Sequence, residues 1–231
     1  MAKQDEASPS EAAFHEAGHA LLISRSGYQI ESIEVFWDES NQRWEGKVNR
    51  HLTNHRTKLD AINPDVSLLI QESLIAVAGC LAQTIHLARE QDSNASFHKE
   101  QNWGDFLLWM QNTNAESRLA YPLEFSAQEQ KFVVEAHPRS FGGRDQAAFM
   151  KCLKFIESTP YGKNQFLADL LDPLVQTALL ISERTSWDKI RKLAESLITE
   201  LSEAGKGRIE SETVNELLIG PQRAGSTLGD K

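Results

Sequence analysis

The hydrophobic positions near the start of the chain predict a helix followed by a β-hairpin. The segment 8–11, Ser-Pro-Ser-Glu, has the pattern of a capping box with proline at the first helical position. We therefore predict a helix that runs to about Arg25 and is ended by Gly27. In 29–37 apolar residues alternate with polar ones, and 43–51 (RWEGKVNRH) follows a polar turn, as expected for paired strands. Gly46, inside the second strand, suggests a bulge or a close backbone approach.

The remaining pattern predicts helices only. Asn63-Pro64-Asp65 is a start signal for a long helix over about 64–89, which is apolar on more than one face and is therefore expected at the centre of the fold. A third helix is expected from about Gly104-Asp105. Further helical periodicity covers 144–157, 160–183 and 186–204, and we expect a frayed tail over 221–231.

We therefore expect a mainly α (α+β) fold with a small hairpin or sheet beside the first helix. We treat residues 1–231 as one domain, with a helix-hairpin-helix part over about 8–120 and a C-terminal helical part over about 121–220.

Composition narrows the classes of partner and compartment. The chain has 231 residues, a net charge of −9 and a pI near 5.3, which argues against a nucleic-acid partner. Its two cysteines, Cys80 and Cys152, lie in apolar helical patterns and are typical of a reducing compartment. No run of signal-peptide length and no stretch of 18 uncharged apolar residues occurs, so we expect a cytoplasmic protein without an integral membrane segment.

The first predicted helix carries a metal-binding motif. Its segment 11–22, EAAFHEAGHALL, contains His-Glu-x-x-His at His15, Glu16 and His19. Histidines four residues apart share one helix face and can bind a single zinc ion, Zn2+, while the glutamate can act as general base. The small residues around them allow neighbouring elements to approach. The motif therefore predicts a catalytic zinc site with Glu16 as the base.

Two histidines leave a third protein ligand to be found. The extended motif with a third histidine is absent, because Leu22 and Arg25 occupy the places of its glycine and histidine. The residues alone leave several candidates open, which are two carboxylates and four histidines: Glu72, Asp105, His51, His55, His86 and His98.

Beyond the residues themselves, the chain resembles the FtsH-type metallopeptidases, which join a membrane anchor, an AAA ATPase and a zinc protease domain. FHEAGHALL is similar to the first motif of that family, and the resemblance is looser in four later segments: LLIQESLIAVAGCLAQTIHL, NWGDFLLWMQN, LLISERTSWDKIRKLAESLITE and SETVNELL. The resemblance implies a helical zincin-type peptidase fold, and it implies that Asp105 is the third zinc ligand. In the second segment Gln83 stands where the family has a glutamate.

The family resemblance also implies how substrate binds. An edge strand beside the metal helix would pair with the backbone of a polypeptide substrate, and the candidate strand here is Trp44, Glu45, Gly46, Lys47 and Val48. We expect a zinc-dependent peptidase that acts on peptides or unfolded proteins without its own ATPase, as a homo-oligomer or docked to an ATPase-bearing partner. The alternatives are a non-catalytic binding or regulatory module that keeps the zinc site, and a structural zinc site closed by a fourth ligand such as His98.

Overall fold

The fold is described from a computed structural model for residues 8–51, 65–91 and 143–220. The helices and strands of these ranges follow in chain order: α1 (Pro9–Arg25), β1 (Gln29–Asp38), β2 (Arg43–His51), α2 (Val66–Gln91), α3 (Gly143–Glu157), α4 (Lys163–Ser182), α5 (Arg184–Thr199), β3 (Lys206–Glu210) and α6 (Ser211–Ile219). Within these ranges the protein is mainly helical with one small antiparallel sheet, as the sequence predicts. The helix expected near Gly104, the tail 221–231 and the division into two parts remain predictions, because 92–142 and the tail lie outside the described ranges.

The first helix begins and ends where its signals predict. The Ser8 hydroxyl accepts a hydrogen bond from the backbone N–H of Glu11, whose own side chain accepts one from the backbone N–H of Ser8. Because both donors would otherwise be unpaired at a helix start, this capping box fixes the N-terminus of α1. At the other end, Gly27 has φ +78°, a conformation that glycine adopts without strain.

Helices α1 and α2 cross closely because small residues line their contact. A Cβ atom on Gly18 would lie 2.5 Å from the backbone oxygen of Ala78 and 2.6 Å from Ala82 Cβ. Ala78 and Ala82 are themselves fully buried. This crossing brings the histidine face of α1 against α2, so it positions the candidate site.

The sheet has the strand order β2-β1-β3, and both pairings are antiparallel. The hairpin of β1 and β2 is confirmed, and its irregularity lies between Ile30 and Ser32 of β1 and not at Gly46. Ile33 and Val35 face the helices and are buried, and they pair with residues of both neighbouring strands. The sheet therefore covers one side of α1.

The prediction of helices only after the hairpin is wrong at β3. This five-residue strand alternates exposed and buried residues but contains a single large apolar side chain, Ile209, which gives a weak local signal. Pairing with β1 determines its structure. A Cβ on Gly207 would lie 2.5 Å from the backbone oxygen of Leu197, so the strand also needs a glycine where α5 approaches it.

The hydrophobic core is continuous across the described elements. Its largest fully buried side chains come from both the N-terminal elements and the later helices, and they include Phe149, Phe166, Leu21, Ile33, Leu69 and Ile190. Among the described residues, the segment Val66–Leu87 of α2 is long and apolar enough to cross a membrane, yet 71% of its most apolar window is buried inside the protein. A buried core helix satisfies the same length and composition criterion.

Candidate metal centre

Three side chains converge at the crossing of α1, α2 and the start of α3. Asp145 Oδ2 lies 2.7 Å from His15 Nε2 and 3.2 Å from His19 Nε2, and the two Nε2 atoms are 3.0 Å apart. His15 and His19 come from the predicted motif, and Asp145 lies in the first turn of α3. These ligand-type atoms form a group that could hold a metal ion.

The hydrogen bonds of the imidazoles favour a cation at this point. His19 Nδ1 donates to the carbonyl oxygen of Ile75 at 2.7 Å, and His15 Nδ1 faces Gln83 Oε1 at 3.1 Å. Because both Nδ1 atoms meet oxygen acceptors, each carries the proton of its neutral ring, and each Nε2 has a lone pair. Two lone pairs and a carboxylate oxygen repel one another unless a metal ion or a proton lies between them.

The ligand spacing also suits a small tetrahedral ion. Metal–ligand bonds of about 2.05 Å at a tetrahedral angle separate ligand atoms by about 3.3 Å. The observed separations of 2.7 to 3.2 Å are slightly shorter, so binding of such an ion requires only a small outward movement of the three side chains.

Protonation of the metal-free site follows from the same geometry. Burial alone would lower the pKa of His19, but the charge of Asp145 and its hydrogen bond outweigh burial and raise that pKa to about 9. Burial acts in the opposite direction on Asp145 and would raise its pKa, yet the two histidines lower this pKa below its usual range. A proton on His19 therefore takes the place of a cation when no metal is bound.

Glycines create the space that the site requires. A Cβ on Gly79 of α2 would lie 2.6 Å from both Nε2 and Cδ2 of His15, and closer still to His19 Nε2. A Cβ on Gly46 of β2 would collide with the side chain of Glu16 and lie 2.8 Å from its Cδ and Oε1. The group that closely approaches Gly46 is thus the side chain of Glu16.

Glu16 lies beside the histidines and is buried, with 6% of its surface exposed. Burial raises its pKa, although the neighbouring histidines act in the opposite direction. A carboxylate with a raised pKa is a better proton acceptor and donor near neutral pH than an exposed one. This environment suits a general base.

The predicted substrate strand borders a groove that leads to these residues. The groove has a volume of about 390 Å³, and its lining includes the whole segment 44–48 together with His15, Glu16, His19 and Asp145. Glu45 accepts hydrogen bonds from Arg43 at 2.6 and 2.9 Å, and Arg144 of α3 lies 3.7 Å from its other oxygen. Glu45 therefore links β2 to the helix that carries Asp145.

Within the described residues, β2 is an edge strand whose outer backbone groups are unpaired with another strand. The N–H of Trp37 in β1 points to the β3 side, where it donates to the Gly205 carbonyl. Backbone N–H and C=O groups alternate in direction along a strand, so those of Phe36, next to Trp37 in β1, point to β2 and its partner there, Glu45. The backbone groups of Trp44, Gly46 and Val48 in β2 therefore point outward, away from β1. Gly46 thus presents its backbone at the edge next to Glu16.

The other ligand candidates are used elsewhere or fall outside the described ranges. Glu72 accepts hydrogen bonds from Arg50 at 2.5 Å and Tyr28 at 2.8 Å. His51 pairs with Glu31 at the far end of β2, and His86 stacks on Phe14 and lies 3.0 Å from the Ser10 hydroxyl. The predicted ligand Asp105 lies outside the described ranges, as do His55 and His98, so the prediction for Asp105 stays a prediction.

Sequence reasoning missed Asp145. A usable signal was present, because Asp145 follows Gly142-Gly143-Arg144 at the start of a periodic segment, which is the same local context as Gly104-Asp105. Both aspartates lie where the sequence pattern predicts a helix start, and this pattern alone does not indicate which of them is a ligand. A scan against models of known protein families found no match, and no curated protein matches the chain.

Proposed function

We propose that this chain is a zinc-dependent metallopeptidase with a zincin-type site, similar to the peptidase domain of the FtsH-type family. The observation that carries the proposal is the convergence of His15, His19 and Asp145 beside Glu16, in the lining of a groove bordered by an edge strand. In this proposal Asp145 is the third zinc ligand. Two imidazoles and one carboxylate are a common donor set for catalytic zinc.

Zinc, when bound, would supply Lewis-acid chemistry that activates water and polarises a carbonyl group. Hydrogen bonds from His19 to the Ile75 carbonyl and from His15 to Gln83 hold both rings with Nε2 toward Asp145. Glu16 takes a proton from the attacking water and passes it to the nitrogen of the leaving amine. Its burial keeps competing solvent away from this proton transfer.

The edge strand would hold an extended polypeptide by strand addition. The outward backbone groups of Trp44, Gly46 and Val48 can pair with a substrate backbone, and this mode of binding is insensitive to sequence. Because Gly46 lies against Glu16, a peptide bond paired near this residue would lie close to the base. Such binding requires an extended substrate, which is why we propose peptides and unfolded proteins.

Cleavage of an unstructured peptide with stoichiometric zinc tests the proposal. We expect wild-type protein to cleave it, and Glu16→Gln to bind zinc as wild type does while losing cleavage at least about 100-fold, as expected for loss of a general base. Glu195→Gln, an exposed change of the same kind on α5, serves as the matched control and should cleave normally. Zinc binding without cleavage by wild type would refute the peptidase and favour the alternative of a binding or regulatory module.

A further inference from the structure

Gln83 of α2 stands between His15 and a carboxylate at the start of α1. Its Oε1 lies 3.1 Å from His15 Nδ1, and its Nε2 donates to Glu11 Oε2 at 3.0 Å. A carboxylate can only accept, so Glu11 holds the amide of Gln83 with its NH2 group toward α1 and its oxygen toward His15. The amide oxygen in turn requires a proton on His15 Nδ1.

Glu11 has a second role that fixes its position. Its Oε1 accepts the backbone N–H of Ser8 at 3.3 Å in the capping box. One carboxylate oxygen therefore completes the N-terminus of the helix, and the other orients Gln83. The chain of hydrogen bonds runs from the cap of α1 to α2 and returns to α1 at His15.

We propose that Glu11 and Gln83 form a matched pair of positioning residues that keeps His15 Nε2 directed at the metal position. The pair requires one side chain that only accepts hydrogen bonds, the carboxylate of Glu11, and one that both donates and accepts them, the amide of Gln83. A glutamate at 83 would place two carboxylates about 3.0 Å apart and repel Glu11. The inference rests on the proposed function only in requiring that the site binds zinc.

Zinc affinity in a double-mutant cycle tests this pairing. Loss of a group that orients a metal-binding histidine weakens binding by about 10- to 100-fold, so we expect this loss for Gln83→Leu. We expect it for Gln83→Glu as well, because repulsion from Glu11 would displace the new carboxylate from its position beside His15. Glu11→Gln should weaken binding less, because the Gln83 amide keeps its contact with His15 but can rotate. The double variant Glu11→Gln with Gln83→Glu should recover to within about threefold of wild type, because the new amide at position 11 then donates to a carboxylate that accepts from His15.

The matched control separates positioning from helix stability. Ser8→Ala removes the hydroxyl that accepts from Glu11 but leaves the Glu11 carboxylate in place. It should lower the Tm of the metal-free protein and leave the zinc Kd within about twofold of wild type.

Circular dichroism of each metal-free variant shows that it is folded. Equal zinc affinity in all variants, or no recovery in the double variant, would overturn the pairing while leaving the proposed function intact. If wild-type protein binds no zinc, both the pairing and the proposed function are overturned.

Discussion

Replacement of Gly79 by alanine should weaken zinc binding at least about 100-fold while leaving the protein folded. The new Cβ would lie 2.6 Å from His15 Nε2 and closer to His19 Nε2, whereas non-bonded heavy atoms normally stay about 3.5 Å apart. The imidazoles would have to move by about 1 Å, which is several times the tolerance of about 0.2 Å in a zinc–ligand distance. The rings cannot turn away freely, since Ile75 and Gln83 hold their Nδ1 atoms.

The effect on folding should be small by comparison. Overfilling a packed contact costs about 1–3 kcal/mol, and exchange of glycine for alanine inside a helix returns about 1 kcal/mol. We therefore expect the metal-free Gly79→Ala protein to lose at most about 2 kcal/mol of stability, and its zinc affinity to fall by at least about 100-fold. Competition with a chromogenic chelator measures the affinity.

Gly46→Ala is the matched comparison, because the three atoms nearest to its Cβ would all belong to Glu16. This variant should bind zinc within about threefold of wild type but lose peptide cleavage, since the base is displaced. Wild-type zinc affinity in Gly79→Ala would contradict the contact of Gly79 with the two histidines. A loss of zinc affinity in Gly46→Ala as large as that expected for Gly79→Ala would contradict the contact of Gly46 with Glu16 alone.

The ionisable groups lead to three further predictions. Asp145→Asn should weaken zinc binding at least about 100-fold, whereas Asp105→Asn should leave it unchanged, and the reverse result in equilibrium dialysis would support Asp105 as the ligand. Because the pKa of His19 is about 9 in the metal-free site, zinc binding at pH 7.5 should release about one proton, and the zinc affinity should fall as the pH is lowered. Calorimetry in buffers of different protonation enthalpy measures the number of protons released. Burial opposes the ionised form of Glu34, but a hydrogen bond from Lys206 and the charges of Lys47, Lys206 and Arg208 lower its pKa. Glu34→Gln should therefore lower the free energy of unfolding in urea by about 1–2 kcal/mol at neutral pH. This difference from wild type should shrink as acid protonates Glu34.

Local signals predicted most of the described fold, including the helices over 144–157, 160–183 and 186–204, which correspond to α3, α4 and α5. The capping box, the glycine stop and the period-two pattern of the hairpin each involve residues close in sequence, so they are visible without a structure. The strand β3 was missed because its formation depends on β1, about 170 residues earlier, and its own five residues carry little signal. The start of α2 is confirmed near Asp65, whose carboxylate accepts from the N–H of Leu68.

The residues of the candidate site also differ in whether they could be predicted from local sequence. His15, Glu16 and His19 lie within one helix, so their shared face follows from helical geometry. Asp145 joins them from 126 residues beyond His19, and only the packing of α3 on α2 brings it there. The role of Gly79 could not be predicted from the sequence, and position 83 was marked only by the family resemblance, because both residues act through side chains that α1 places against α2.

A crystal structure of the zinc-loaded protein, with anomalous data collected at the zinc edge, tests the central claim most directly. We predict one strong peak about 2.0–2.2 Å from His15 Nε2, His19 Nε2 and an Asp145 carboxylate oxygen, with the fourth position open to the groove beside Glu16. A peak bound by Asp105 in place of Asp145, a site closed by a fourth protein ligand, or no peak at these histidines would contradict the account.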